Sequence, residues 1–202
     1  MVLLMRNKNF TGIILLALMG ALVATICDGV HVYTQTLSYT DPFLFGQAWW
    51  VFPGFILTFL LMEFAYLLVV ENLPTGISTQ KSVSPGNARD FTEAVIIFAL
   101  IYLLSGFGNR EPVILSVIFY GTYVVRWLSS YDRLWLLILS GLMAIGGMFV
   151  EGAISAMGWM TYRSVDFFYV PFWLGGLYLH GAFALREGMR IFFFQKYRVH
   201  LK

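Results

Sequence analysis

The chain has 202 residues, of which 59% are hydrophobic and only 12% are charged, and its formal net charge is +2. Because about a quarter of the residues in soluble domains are charged, this composition excludes an ordinary soluble enzyme, a disordered chain and a nucleic-acid-binding protein. It indicates a single domain, over residues 1–202, whose main solvent is lipid.

Six apolar runs follow one another along the chain, separated by short polar breaks. A bilayer core about 30 Å thick needs roughly 20 apolar residues per helix, and a backbone in lipid must satisfy its own hydrogen bonds. The runs lack the alternation that barrel strands require. The sequence therefore predicts an all-α transmembrane bundle of six helices, at residues 10–27, 47–70, 91–107, 112–128, 134–159 and 167–185.

The boundary between the third and fourth runs rests on the segment from Gly108 to Pro112. Proline suits the first turn of a helix, and Arg110 and Glu111 lie just before it. A single helix through this segment would place both charges in lipid, at a high cost in free energy. We therefore predict two helices with a polar turn between them.

Lysine and arginine are distributed unequally between the two sides that six spans create. Eleven of the thirteen lie on one side, and the other side has Arg110 and Arg163. Because the excess of basic residues marks the cytoplasmic side, we predict that both termini are cytoplasmic. The eleven are Arg6, Lys8, Lys81, Arg89, Arg126, Arg133, Arg186, Arg190, Lys196, Arg198 and Lys202.

Residues 186–202 form a predicted cationic tail, in which basic residues alternate with the apolar run from Ile191 to Phe194. This mixture is typical of a segment that lies on an anionic membrane surface. The alternative is the ordinary basic flank of a last helix.

Ionisable residues inside a membrane span are costly and are functional candidates by default. Glu63 in the second helix and His180 in the sixth lie at similar depths, which permits a carboxylate–imidazole pair. Glu151 lies in the fifth helix near the opposite boundary, and Gly147 one turn before it leaves room for a helix or a ligand. One interpretation is that these groups line a cavity, where they bind a polar headgroup or transfer protons. The alternative is that they form hydrogen bonds or ion pairs that hold neighbouring helices together.

Large aromatic residues mark the beginnings of the second and sixth helices. Trp49 and Trp50 precede Pro53 by about one turn, and Trp173 lies early in the sixth helix. A proline inside a helix can kink it, and a kink beside large rings would open a lateral gap for a flat or acyl lipid. An interfacial aromatic belt is the alternative interpretation.

Enzyme templates match this sequence poorly. The patterns H-E-x-x-H, G-x-S-x-G and G-x-G-x-x-G are absent, and the three histidines lie at different depths, so we predict no metal and no cofactor. Acid catalysis by Glu151 with Asp166 or Tyr162 stays open. We expect no internal repeat of the kind that inverted-repeat transporters have.

Two stretches of the chain resemble the insulin-induced gene (Insig) family. Residues 48–53 read A-W-W-V-F-P, which is similar to the A-W-W-V-x-P motif that opens the second span of Insigs. Residues 158–174 resemble the family pattern G-x-x-x-Y-x-S-x-D-F-x-Y-x-x-x-W-L. Asp132-Arg133 matches an Asp-Arg pair in the loop between the fourth and fifth spans. The resemblance covers residues 47–186, about two-thirds of the chain.

The resemblance implies a six-helix membrane protein that is not an enzyme. Animal Insigs bind an oxysterol within the bundle and retain a sterol-sensing partner, whereas prokaryotic relatives hold a diacylglycerol-like lipid in a central cavity. By this resemblance, Asp132 would bind a membrane-protein partner. The sequence departs from the family at Gly54-Phe55, where animal Insigs have two cysteines, at Glu151, where they have a neutral polar residue, and at Val165, where they have a proline.

Together these observations predict an Insig-like protein that binds or senses a diacylglycerol-, sterol- or isoprenoid-like lipid. An intramembrane enzyme acting on an isoprenoid or glycerolipid, and a proton-coupled transporter, are the alternatives. The expected location is the cytoplasmic membrane of a prokaryote or the endoplasmic reticulum membrane of a eukaryote. The predicted ligand-binding residues are Trp49, Trp50, Pro53, Glu63, Gly147, Glu151, Asp166, Trp173 and His180.

Overall fold

The computed structural model describes residues 10–195, and within them the predicted six-helix all-α class is confirmed. Four of the helices (α1, α2, α3 and α5) have 20 to 24 residues and are long and apolar enough to cross a membrane, and α4 is a shorter apolar helix. In chain order the helices are α1 (Phe10–Tyr33), α2 (Val51–Asn72), α3 (Ala88–Phe107), α4 (Pro112–Leu128), α5 (Arg133–Ala156) and α6 (Trp173–Gly188).

The polar break between α3 and α4 lies where the sequence placed it. The N–H of Gly108 donates to the carbonyl of Leu104 at 2.8 Å and closes the last turn of α3. Pro112 then opens α4. The Asn109 side chain accepts a hydrogen bond from Arg163 at 3.0 Å. These contacts keep the polar residues of the break at the end of the bundle.

The three largest differences from the predicted helix ends all lie at one end of the bundle. α1 continues past Cys27 to Tyr33, because Asp28 and His31 are buried among other helices and need not mark a loop. α2 and α6 begin later than predicted. The segments 44–47 and 167–170 instead form tight turns closed by backbone hydrogen bonds.

Two short strands, which the sequence analysis did not predict, join the two halves of the chain at this end. β1 (Leu37–Tyr39) pairs antiparallel with β2 (Met160–Tyr162), and Ser38 lies opposite Thr161. Three residues are too few to show an alternating pattern in a sequence. We call this the strand end of the bundle, and we call the opposite end, where α2 leads to α3 and α4 to α5, the tail end.

The predicted surface tail is wrong for the described residues. α6 does not stop before Arg186 but continues to Gly188 and passes into a π-helix, Met189–Phe193. Arg186 and Arg190 are both buried, because Glu187 pairs with the two guanidinium groups. This ion pairing, with Asp90 3.9 Å from Arg190 as a second acidic group, lets a basic segment pack inside the protein.

The residues after the π-helix also pack into the core. Phe194 is fully buried, and its ring contacts the ring of Tyr66 at 6.4 Å between centroids. Residues 196–202, and the cations at positions 6 and 8, lie outside the described residues. The orientation of the termini stays a prediction.

The core has two parts, and the outer surface is apolar. Near the tail end it is built around Trp135 and Tyr66, and near the strand end around Phe119 and Trp173. Large apolar side chains such as Ile145 point outward and are mostly exposed. An apolar exterior of this kind fits a protein whose solvent is lipid.

Candidate functional site

An apolar cavity of about 90 Å³, partly open to the surroundings, lies between α1, α2, α3, α5 and α6. Its wall includes Val23, Phe59, Val95 and Phe98. Because a methylene group occupies about as much space as a water molecule, several methylenes of an acyl or isoprenoid chain fit in this volume. Tyr178 also lines the cavity.

The hydroxyl of Tyr178 belongs to a cluster centred on Glu151. Tyr178 donates a hydrogen bond to one carboxylate oxygen of Glu151, and Tyr162 donates to the other. Burial, and then the charge of Glu151, raises the pKa of Tyr162, so its phenol stays protonated and can donate. Gly147 is needed for this arrangement, since a Cβ at that position would overlap the ring of Tyr178.

Asp28 on α1 forms a second cluster of the same kind, which the sequence analysis missed. Its Oδ2 accepts hydrogen bonds from the Tyr39 hydroxyl at 2.9 Å and from Nε2 of Gln47 at 2.8 Å. Burial, and then the charge of Asp28, raises the pKa of Tyr39, with a smaller contribution from Glu151. The two carboxylates therefore act on the same phenol.

The two clusters are copies of one structural unit. In each copy the tyrosine donates to the carboxylate eleven residues earlier. Its ring also lies edge-on to a tryptophan ring, with centroids 5.4 Å apart in the first copy and 6.2 Å in the second. The copies are separated by 123 positions and consist of Asp28, Tyr39 and Trp50 in the first, and Glu151, Tyr162 and Trp173 in the second.

The backbone repeats with the same spacing. Positive φ angles occur in both copies at equivalent positions, namely Gln35 and Gly158, Phe45 and Phe168, and Gly46 and Tyr169. The strand register has Leu37 opposite Tyr162 and Tyr39 opposite Met160. A two-fold axis between the central residues of the two strands produces this pairing.

This repeat corrects the expectation that the chain has none. The sequence signal is sparse, because the shared feature is a backbone path with three matched side chains. It consists of the dipeptides Asp28-Gly29 and Glu151-Gly152, each followed at fixed spacing by tyrosine and tryptophan. The two Insig-like stretches of the sequence turn out to lie in the two copies.

Glu63 and His180 do not form the pair that their equal depths allowed. His180 contacts the carbonyl of Phe119 at 3.0 Å and Nη1 of Arg126 at 2.8 Å. Glu63 is fully buried in α2, and neither of its carboxylate oxygens has a hydrogen-bond partner among residues 10–195. Equal depth along two helices fixes height but not the faces that they turn toward each other.

The aromatic residues at the start of α2 have different environments. Trp49 is 70% exposed, which suits an interfacial position. Trp50 instead contacts Tyr39 and lies 6.0 Å from Trp159 between ring centroids. Pro53 lies in the first turn of α2, where it interrupts no hydrogen bond of the helix, so the kink expected there has no cause.

Asp166 lies in the loop before α6 and is exposed. Its carboxylate accepts a hydrogen bond from the backbone N–H of Phe172 at 2.9 Å. Glu151 has different partners, so the structure does not join these two acids as an acid–base pair. Asp166 shapes the loop that leads into α6.

Asp132 connects two loops at the tail end. Its Oδ1 accepts from the hydroxyl of Ser78 at 2.8 Å. Its Oδ2 accepts from both the backbone N–H and the hydroxyl of Ser82, at 2.8 and 2.9 Å. All three bonds reach back to the loop between α2 and α3, so the carboxylate already serves as an internal tie.

Two solved structures are similar to this chain along nearly its whole length. One is the crystal structure of a mycobacterial Insig homologue from Mycobacterium vanbaalenii, with a TM-score of 0.72, 20% identity, and coverage of 90% of this chain and 93% of the other. The second is a cross-linked trimer of a cysteine variant of the same protein, with a TM-score of 0.70, 20% identity, and coverage of 89% and 94%.

No protein-family model and no curated protein matches the sequence. The structural likeness, together with the four long apolar helices, nevertheless confirms the fold that the sequence motifs suggested. The chain is an integral membrane protein with the fold of an Insig homologue.

Proposed function

We propose that this protein binds a membrane lipid, with the lipid's hydrocarbon chain in the central cavity and its polar head at the Glu151 cluster. The observation that carries this proposal is the position of Tyr178. Its ring lines the apolar cavity, and its hydroxyl donates to the carboxylate of Glu151. One residue thus connects an apolar compartment with a polar one, as a site for an amphiphile requires.

The chemistry of the cluster favours a small neutral head with a free hydroxyl group. Such a hydroxyl can donate to a carboxylate and accept from a phenol. Asp28 and Glu151 are both acidic, and no ion pair among residues 10–195 involves either of them. A phosphate head would need basic partners, which these two clusters do not supply, so a diacylglycerol-, sterol- or isoprenol-like lipid suits the site better than a phospholipid.

Native mass spectrometry of the detergent-purified protein, followed by identification of any bound lipid, tests the proposal. The informative variant is Val95→Trp, which places a large ring in the cavity wall. Ile96→Trp is the matched control, because its side chain is on the same helix but is 53% exposed. We expect the first variant to lose the lipid and the second to keep it.

Equal retention of the lipid by both variants would place it outside the cavity and overturn the proposal. Both variants must first show the helical circular dichroism and the elution volume of the unmodified protein. These controls separate lipid displacement from a failure to fold.

A further inference from the structure

Three arginines approach one another at the tail end, but only two of them are neutralised. Arg186 and Arg190 both pair with Glu187, and Arg190 also lies 3.9 Å from Asp90. Arg126, near the end of α4, forms no ion pair with any of the residues 10–195. Arg126 therefore lacks a directly paired carboxylate among these residues, and the carboxylate of Glu93 on α3 attracts it only from beyond ion-pair distance.

The Arg126 guanidinium is held in a fixed position by uncharged groups. Its Nη1 donates to Nδ1 of His180 at 2.8 Å, so the imidazole proton lies on Nε2, which faces the carbonyl of Phe119 at 3.0 Å. Its Cζ lies 4.0 Å from the centroid of the Phe183 ring. A neutral histidine and an aromatic face orient the cation without cancelling its charge.

A second cation strengthens the local field. Cζ of Arg186 lies 5.6 Å from the centroid of the same Phe183 ring, so two guanidinium groups share one aromatic side chain. Arg126 is only half buried, and Thr122 one turn before it is exposed. Since Leu128 ends α4 two residues later, Arg126 lies close to the helix end, at the depth where lipid phosphates are found.

We infer that Arg126 is a binding site for the phosphate group of an anionic membrane phospholipid, at the tail end of α4 and separate from the central cavity. The phosphate replaces the missing carboxylate partner of Arg126 and relieves its repulsion with Arg186. The guanidinium can offer two parallel N–H groups to phosphate oxygens. This site takes a charged phospholipid, whereas the cavity takes a neutral lipid.

The test uses the full-length protein and dioleoylphosphatidylglycerol, with retained lipid counted by native mass spectrometry. Arg126→Gln should bind the phospholipid about tenfold more weakly, as expected for the loss of a charge-assisted contact. Arg89→Gln is the matched control, because Arg89 is an exposed arginine at the same end of the bundle. It should bind like the unmodified protein.

Equal weakening in both variants, or in neither, would show that only the general basic charge of this end matters and would overturn the proposal. Two competitions on the unmodified protein test it without any variant. Dioleoylglycerol, which has no phosphate, should not displace the phospholipid. Inorganic phosphate at millimolar concentration should not displace it either. Displacement by the first would move the site to the cavity, and displacement by the second would make it a site for free phosphate.

Discussion

Tyr39 and Tyr162 occupy equivalent positions in the two copies of one structural unit, and each donates its hydroxyl to a carboxylate eleven residues earlier. They also lie in the paired strands β1 and β2. The strand pair thus couples the Asp28 and Glu151 clusters, so we expect changes in either cluster to affect the stability of this whole end of the bundle.

Phenylalanine at position 39 or 162 should therefore destabilise the protein. Tyr162→Phe leaves a carboxylate oxygen of Glu151 without its donor, which costs about 1–3 kcal/mol in the free energy of unfolding. Tyr39→Phe should cost less, because Oδ2 of Asp28 keeps the hydrogen bond from Gln47. The free energy of unfolding can be measured by titrating the protein in a mild detergent with a denaturing detergent. Tyr33→Phe is the control, since Tyr33 is 82% exposed. An effect as large for Tyr33→Phe would indicate that loss of any phenol is responsible.

Lipid selectivity should depend on Glu151. Glu151→Gln replaces a carboxylate by a neutral amide, which is a weaker hydrogen-bond acceptor for Tyr178 and for a lipid hydroxyl. We therefore expect the variant to bind dioleoylglycerol about tenfold more weakly. A lipid whose hydroxyl is esterified should be unaffected by the change. Asp166→Asn is the control, because Asp166 is exposed and accepts a hydrogen bond from Phe172 in the loop before α6. If Asp166→Asn weakened binding equally, the polar head would lie nearer that loop.

Adjacent glycines of α5 should differ sharply in their tolerance of alanine. A Cβ at Gly147 would overlap the Tyr178 ring, whereas a Cβ at Gly146 would meet no atom within 4 Å. We expect Gly147→Ala to destabilise the protein by about 1–3 kcal/mol and to weaken lipid binding through displacement of Tyr178. Gly146→Ala should be neutral or slightly stabilising. Thermal unfolding and lipid retention of the two variants decide this, and a similar loss in both would contradict it.

Asp132 should control the order of the loop between α2 and α3. Asp132→Ala removes three hydrogen bonds to Ser78 and Ser82, so amide hydrogen exchange over residues 78–82 should become faster. Asp41→Ala, at an exposed acid in a loop of the strand end, should leave that exchange unchanged. If a membrane-protein partner binds here, we propose that it recognises the loop surface that Asp132 holds in place. If amide exchange over residues 78–82 were unchanged in Asp132→Ala, Asp132 would not be needed to order this loop.

The number of helices and their approximate places could be predicted because lipid imposes a length on each apolar run. The turn at Gly108 could also be predicted, because a pair of charged residues inside a span is too costly in lipid. The burial of Arg186 and Arg190 was not visible, because it depends on Glu187 and on a π-helix that directs these side chains inward. A basic segment with apolar residues predicts a membrane-surface tail unless its partners are known.

The candidate site was predicted in part. Glu151 was a candidate because it is an acidic residue within a span. In the structure it accepts a hydrogen bond from Tyr178, which lines the cavity. Asp28 occupies the equivalent position in the first copy, but the predicted first helix ends at residue 27, so Asp28 was not recognised as an acid within a span. The pairing of Glu63 with His180 failed because helical periodicity alone does not determine which helices are neighbours.

The strand pair has a consequence for the order in which the molecule can be assembled. The first copy of the unit is complete once α2 has been made, yet β1 has no strand to pair with until residues 160–162 follow. In the interval its backbone N–H and C=O groups must remain hydrated at the membrane surface. Biogenesis in the bilayer therefore includes a late joining of distant segments, and the strand pair can close only after the first five helices have been made.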